Sequence, residues 1–123
     1  MANTIDQFSC VANVYIKQMI FAKTGDIKEG HKHVFDHQTL LAKGSLKAEV
    51  GGEVSYFTAP QIIFIKAGLE HKFTATEDST IAYCVHALRD GDQVGDIIDP
   101  ASIPAGVDAV EVLSMAKPLT VRE

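Results

Sequence analysis

Between Gly25 and Gly44 the chain reads GDIKEGHKHVFDHQTLLAKG, a stretch that gathers three of the five histidines between two glycines. His31 and His33 stand two residues apart, so on an extended segment their side chains leave the same face and can converge on one ion. His37 adds the constraint. On a straight strand it would lie about 13 Å from His33, at about 3.3 Å per residue, too far to share an ion whose bonds to nitrogen are about 2.0–2.1 Å long. A shared ion therefore demands a reversal at Val34, Phe35 and Asp36, with His31 and His33 on one strand and His37 on its antiparallel neighbour.

These residues resemble the first motif of the cupin family: Gly, five residues, His-x-His, three or four residues, Glu, six residues, Gly. Gly25, His31, His33 and Gly44 occupy the motif's places, and His37 stands where the family has Glu. The second cupin motif survives as Gly68 and His71, with Pro60, Lys66 and Ala75 in place of its Gly, Pro and Asn. The fifteen residues Ser45 to Ala59 between the motifs suit a compact member. The resemblance covers roughly Tyr15 to Leu88 and implies an all-β, single-domain cupin jelly-roll barrel, the double-stranded β-helix. It also implies one divalent metal ion (Fe, Mn, Ni or Zn) held by His31, His33, His37 and His71.

The expected organisation is an N-terminal arm over 1–14, a barrel over 15–90 and a loop-rich C-terminal extension over 91–123 packed on the barrel. Met1–Asn13 lacks a pattern, while Val14–Lys23 reads as a strand apolar on both sides, with Tyr15, Met19 and Phe21 sharing one face. Inward parity slips at Gly44, which predicts a bulge or bend there. Gly51-Gly52 predicts a tight hairpin between Leu46–Val50 and Glu53–Phe57. Gln61–Lys66 reads as a strand buried on both faces, and Thr76–Ser79 as a turn between strands ending near Ala75 and beginning at Thr80. Pairing around that turn would set Cys84 opposite His71, with His86 on the same face; a slip of one residue would set Tyr83 there. Asp90–Gly106 reads as a solvated acidic loop, and Ala109–Met115 as a short strand or helical turn.

At 123 residues the chain is long enough for one sizeable core, and its net charge of −5 argues against nucleic acid and anionic membranes as partners. Cys10 and Cys84 form no C-x-x-C pair, and Ala2–Cys10 lacks the basic and apolar regions of a signal peptide. A cytoplasmic protein is expected. Four neutral imidazoles would leave the ion's +2 charge uncompensated and favour an anionic or chelating small molecule. A six-coordinate ion would keep two positions open. The catalytic residues are unknown. Tyr83, Glu70, Lys66 and His86 are the candidates for proton transfer, each also readable as structural. Three functions fit: a dioxygenase-type metalloenzyme, a metal-dependent isomerase or lyase of a sugar or small acid, and a non-enzymatic ligand- or metal-binding module. Unpaired strand edges predict a homodimer with the segment before Tyr15 near the interface.

Overall fold

A computed structural model describes residues 2–11, 14–30 and 37–87. The described residues form β-strands and no helix: β1 (Ile5–Val11), β2 (Val14–Phe21), β3 (Ile27–Glu29), β4 (His37–Lys43), β5 (Ser45–Val50), β6 (Glu53–Thr58), β7 (Gln61–Ile65), β8 (His71–Ala75) and β9 (Thr80–Ala87). They build two antiparallel sheets, one in the order β1-β2-β9-β4-β7 and the other in the order β3-β8-β5-β6. This is the all-β, two-sheet barrel that the sequence predicts. The expected C-terminal extension, the acidic loop and Ala109–Met115 lie outside the described residues.

Alternation along the strands decides which side chains enter the barrel. On β2, Tyr15, Lys17, Met19 and Phe21 are buried while Val14 is exposed and Ile16, Gln18 and Ile20 are half-buried. On β8, His71, Phe73 and Ala75 point in. The apolar core joins Met19, Phe21, Leu41 and Ala82 from one sheet to Leu46, Ala48, Phe73 and Ala75 from the other, with Ile63 and Ile65 of β7. Burying each large side chain contributes about 1.5–3 kcal/mol.

Three devices close the barrel. Where β4 leaves the five-stranded sheet and β5 enters the four-stranded one, Gly44 takes φ +83°, and a side chain there would strike Thr80. The register also shifts between Leu41 and Lys43, so the expected irregularity sits at this corner. Ser45 N–H donates to Thr80 Oγ1 (3.2 Å), and that hydroxyl donates to the Glu77 carbonyl (2.8 Å). Gly51 and Gly52, at φ +57° and +85°, make the predicted two-residue hairpin between β5 and β6. At the opposite edge, Lys28 of β3 donates to Asp6 of β1 at 2.7 Å, and Asn3 bridges Ile27, tying one sheet to the other.

Four expectations need correction. The segment before Val14, patternless in sequence, forms β1 on β2 with Ile5 opposite Ile20. Strands β3 and β4 are not neighbours: β3 pairs with β8, and β4 pairs with β7 and β9. The reversal expected at Val34, Phe35 and Asp36 lies outside the described residues. Likewise β8 and β9 lie in different sheets, so Cys84 faces Lys17 and Thr39 across the ladder rather than His71. Finally, β7 is an edge strand buried on one face only, with Ile62 69% and Phe64 60% exposed.

Candidate functional site

The two sheets bring their histidines to one end of the barrel. His37 is the first residue of β4 and pairs with Ile65, the last of β7. The chain then needs only residues 66–70 to reach His71, the first residue of β8 in the opposite sheet. On the other side of His71, Gly30 N–H donates to the His71 carbonyl at 2.9 Å. The stretch carrying His31 and His33 thus leaves from beside His71 and rejoins the described chain at His37. His31 and His33 themselves lie outside the described residues.

His71 is 7% exposed, and its Nδ1 is sealed from solvent. The ring is held by Phe73, whose centroid is 5.8 Å away, and by Gly30. A Cβ on Gly30 would fall within 3.0 Å of Nε2, and 2.6 and 2.7 Å from Cδ2 and Cε1. Similar distances to three neighbouring ring atoms put that point over the face of the imidazole. The Gly30 backbone therefore rests against the ring face, and the in-plane edge of Nε2 is left to other groups.

Facing this row, β2, β4 and β9 put polar side chains on the inner face of the five-stranded sheet, beside the apolar Ile65 of β7. Tyr15 is 2% exposed with a buried hydroxyl, and it pairs with His86. One layer deeper, Lys17 (9% exposed) stands opposite Cys84, which stands opposite Thr39, with Cys84 Sγ and Thr39 Oγ1 3.6 Å apart. Outside the mouth, a pocket of about 330 Å³ is bordered by His71, Gly30, Glu29, Glu49, Glu70 and Lys72. Glu29, Lys72 and Glu49 form one cross-strand row on the outer face. Three carboxylates against one lysine leave the rim acidic, though its charges are screened by water and salt.

Of the sequence candidates, His71 and the backbone of His37 come to this end, and His86 lies on the inner face beside them. Tyr83 does not: it points outward, where Gln18 Nε2 donates to its hydroxyl at 2.9 Å. Lys66 is exposed, and exposed Glu70 borders the outer pocket. The residues the sequence reading passed over are Lys17 and Tyr15. The signal was present, since Lys17 has the parity of Tyr15, Met19 and Phe21, but a lysine in an apolar face was not read as part of it.

No protein-family model matches the chain, and no curated protein matches it. Solved structures do. A conserved protein with a double-stranded β-helix domain from Klebsiella pneumoniae is 21% identical, with a TM-score of 0.60 over 69% of this chain and 76% of that one. An RmlC-like cupin from Methanocaldococcus jannaschii (10% identity, TM-score 0.61) covers 68% of this chain and 79% of its own. A cupin 2 domain-containing protein from Halorhodospira halophila (13% identity, TM-score 0.61) covers 71% and 68%. The chain thus has the double-stranded β-helix fold of these cupins.

Imidazole is a ligand that Zn, Cu, Fe and Ni share, and Gly30 supplies a cradle that orients one such ring. Among the described residues no three histidine, cysteine, aspartate or glutamate side chains stand together as a metal site, so the set depends on His31 and His33 joining His37 and His71.

Proposed function

We propose that the barrel mouth binds one divalent metal ion through His31, His33, His37 and His71, and that the site acts on a small anionic or chelating molecule. The observation that carries this is the convergence of two sheets on one end: His71 packed on Gly30 from one side, and the His37 backbone beside Ile65 from the other. The ion would supply Lewis-acid polarisation or, as iron, dioxygen chemistry. The chain supplies the rest: His71 is held by Phe73 and Gly30, Tyr15 and His86 form the facing wall, and the apolar layers below exclude water. We assign the chemistry to the dioxygenase type, since a site of four protein ligands leaves two positions for a bidentate ligand or for ligand plus dioxygen.

Elemental analysis of the purified chain, followed by oxygen uptake of the iron-loaded protein across small carboxylates and diketones, tests both halves. One equivalent of metal and substrate-dependent uptake is the expected result. Metal without uptake would leave the metal centre and remove the dioxygenase assignment. A homodimer belongs to the same reading, because β7 is an edge strand that exposes Ile62 and Phe64. Light scattering giving the monomer mass at micromolar concentration would remove it. As for membranes, no helix among the described residues is long and apolar enough to cross one.

A further inference from the structure

We propose that the outer face of the five-stranded sheet is the contact between two copies of this chain, packed face to face about a two-fold axis. The inference rests on the homodimer reading above and extends it from the β7 edge to the whole sheet; it does not depend on the metal.

An antiparallel sheet with one side in water alternates apolar inside with polar outside. Here the outward parity is apolar as well: Ile16 and Ile20 on β2, Ile81 and Val85 on β9, Ile62 and Phe64 on β7. The cross-strand register gathers these into rows, Ile5-Ile20-Ile81 nearest the apolar end and Ile16-Val85-Gln38-Phe64 nearest the mouth. Ile5 on one edge strand is 61% exposed, much as Ile62 and Phe64 are on the other, and no described strand packs over this side. Charge is kept off it. The five strands carry one carboxylate, Asp6, which faces inward and accepts from Lys28. Lys43, at the corner where β4 ends, is their one outward lysine. By contrast, the outer face of the four-stranded sheet carries Glu29, Lys72, Lys47 and Glu49.

Size, charge and hydrogen bonding point to a second copy as the occupant. Five strands about 4.8 Å apart, the longest of eight residues at about 3.3 Å each, make a face of roughly 24 by 26 Å. Side chains standing on such a face can supply the area of about 800 Å² per partner that a standard stable interface buries. Each copy carries a formal net charge of −5, so like copies repel and meet with least repulsion on a side that holds no carboxylate. Between the apolar rows runs Gln7-Gln18-Tyr83, where Gln18 Nε2 donates to the Tyr83 hydroxyl at 2.9 Å. Amides both donate and accept, so this row can bond to its own copy when a two-fold axis sets each residue against its counterpart's partner. A row of like charges could not.

Sedimentation velocity of the full chain over a dilution series should show a reversible dimer. Ile62→Glu on β7 and Ile5→Glu on β1 should each raise its dissociation constant at least about tenfold, by setting a carboxylate against the other copy. Ile5 lies on the far edge of the sheet from β7, so its response separates a face from an edge. Tyr56→Glu, exposed on the four-stranded sheet, should leave the constant unchanged. In the parent, the methyl signals of Ile20 and Ile81, read against a soluble paramagnetic probe, should lose protection as the dimer is diluted apart, and this readout needs no variant. A parent that stays monomeric would remove the homodimer reading, and this inference with it. A dimer that Ile5→Glu leaves as tight as the parent's, or methyl groups whose protection is the same in monomer and dimer, would overturn the face while leaving the homodimer standing.

Discussion

The two ends of the barrel are made from the same strands and are chemically opposite. At one end, Met19 and Phe21 of β2, Leu41 of β4, Leu46 of β5, Ala75 of β8 and Ala82 of β9 are at most 1% exposed and belong to one apolar cluster. At the other end those strands contribute Tyr15 and Lys17, the start of β4 at His37, His71, and Cys84 with His86. The change happens within single strands: two residues along β2, Met19 gives way to Lys17. A barrel whose apolar layers sit at one end can fold on those layers alone, which frees the opposite end to hold groups that packing would reject.

This contrast is broken most strongly at the apolar end. Phe21→Ala should cost about 3–5 kcal/mol, the range for emptying an aromatic from a core, read as a fall in the urea midpoint. The folded fraction should keep its metal affinity. If that affinity falls in proportion, the two ends are not separable.

Next in size is the seam between the sheets. Asp6→Ala removes the acceptor of Lys28 across β1 and β3, both side chains being 12% exposed, and should cost about 1.5–3 kcal/mol, as for a hydrogen bond to a charged group. Thermal denaturation measures it, and a change below about 0.5 kcal/mol, the usual limit for a surface substitution, would show that the barrel does not depend on this clasp.

At the mouth the effect should move from stability to binding. Gly30→Ala places a methyl group against the His71 ring and should weaken zinc by about tenfold, equal to about 1.4 kcal/mol, with a smaller loss of stability. Equal metal affinity in the variant would mean that the ring has room to shift and that Gly30 does not set its direction.

The smallest effect is expected at the turns beyond the apolar end. Asp78 accepts from Thr24 N–H (2.7 Å) and from its hydroxyl (2.9 Å), and these bonds hold its carboxyl below the ordinary carboxylate range, with Lys23 adding to the shift. A depressed folded pKa means the stabilisation is present above the ordinary value, near 3.9, and is lost as pH falls through the lower folded value. Asp78→Asn should therefore lower Tm slightly at pH 7 and lose that effect in acid. A Tm difference that grows on acidification would contradict it.

Much of this architecture was legible because the period-two signal is local. The Gly51-Gly52 hairpin, the break at Gly44 and the strand from Val14 could all be read from parity and turn residues. What could not be read was which strand lies beside which. Apart from β1–β2 and β5–β6, successive strands here lie in different sheets, so the turn at Thr76–Ser79 joins strands that never pair. The family spacing pointed to His71 and His37 before any fold was in view, and their strands do begin at one end of the barrel. The surroundings of Lys17 were not legible, because Cys84 and Thr39, which stand across from it, lie 67 and 22 positions away in the chain. Nor could the run Ile62–Ile65 disclose that its strand was an edge, since a one-sided strand with exposed apolar residues has the composition of a two-sided one.

The central claim, that the polar end is a metal site built partly on His71, is tested most directly by titrating zinc into the chelator-stripped chain and into His71→Ala. The account predicts one ion per chain in the parent and a loss exceeding about 100-fold in the variant, more than removal of an outer hydrogen-bond partner brings. No uptake by the parent, or uptake that His71→Ala leaves unchanged, would contradict it.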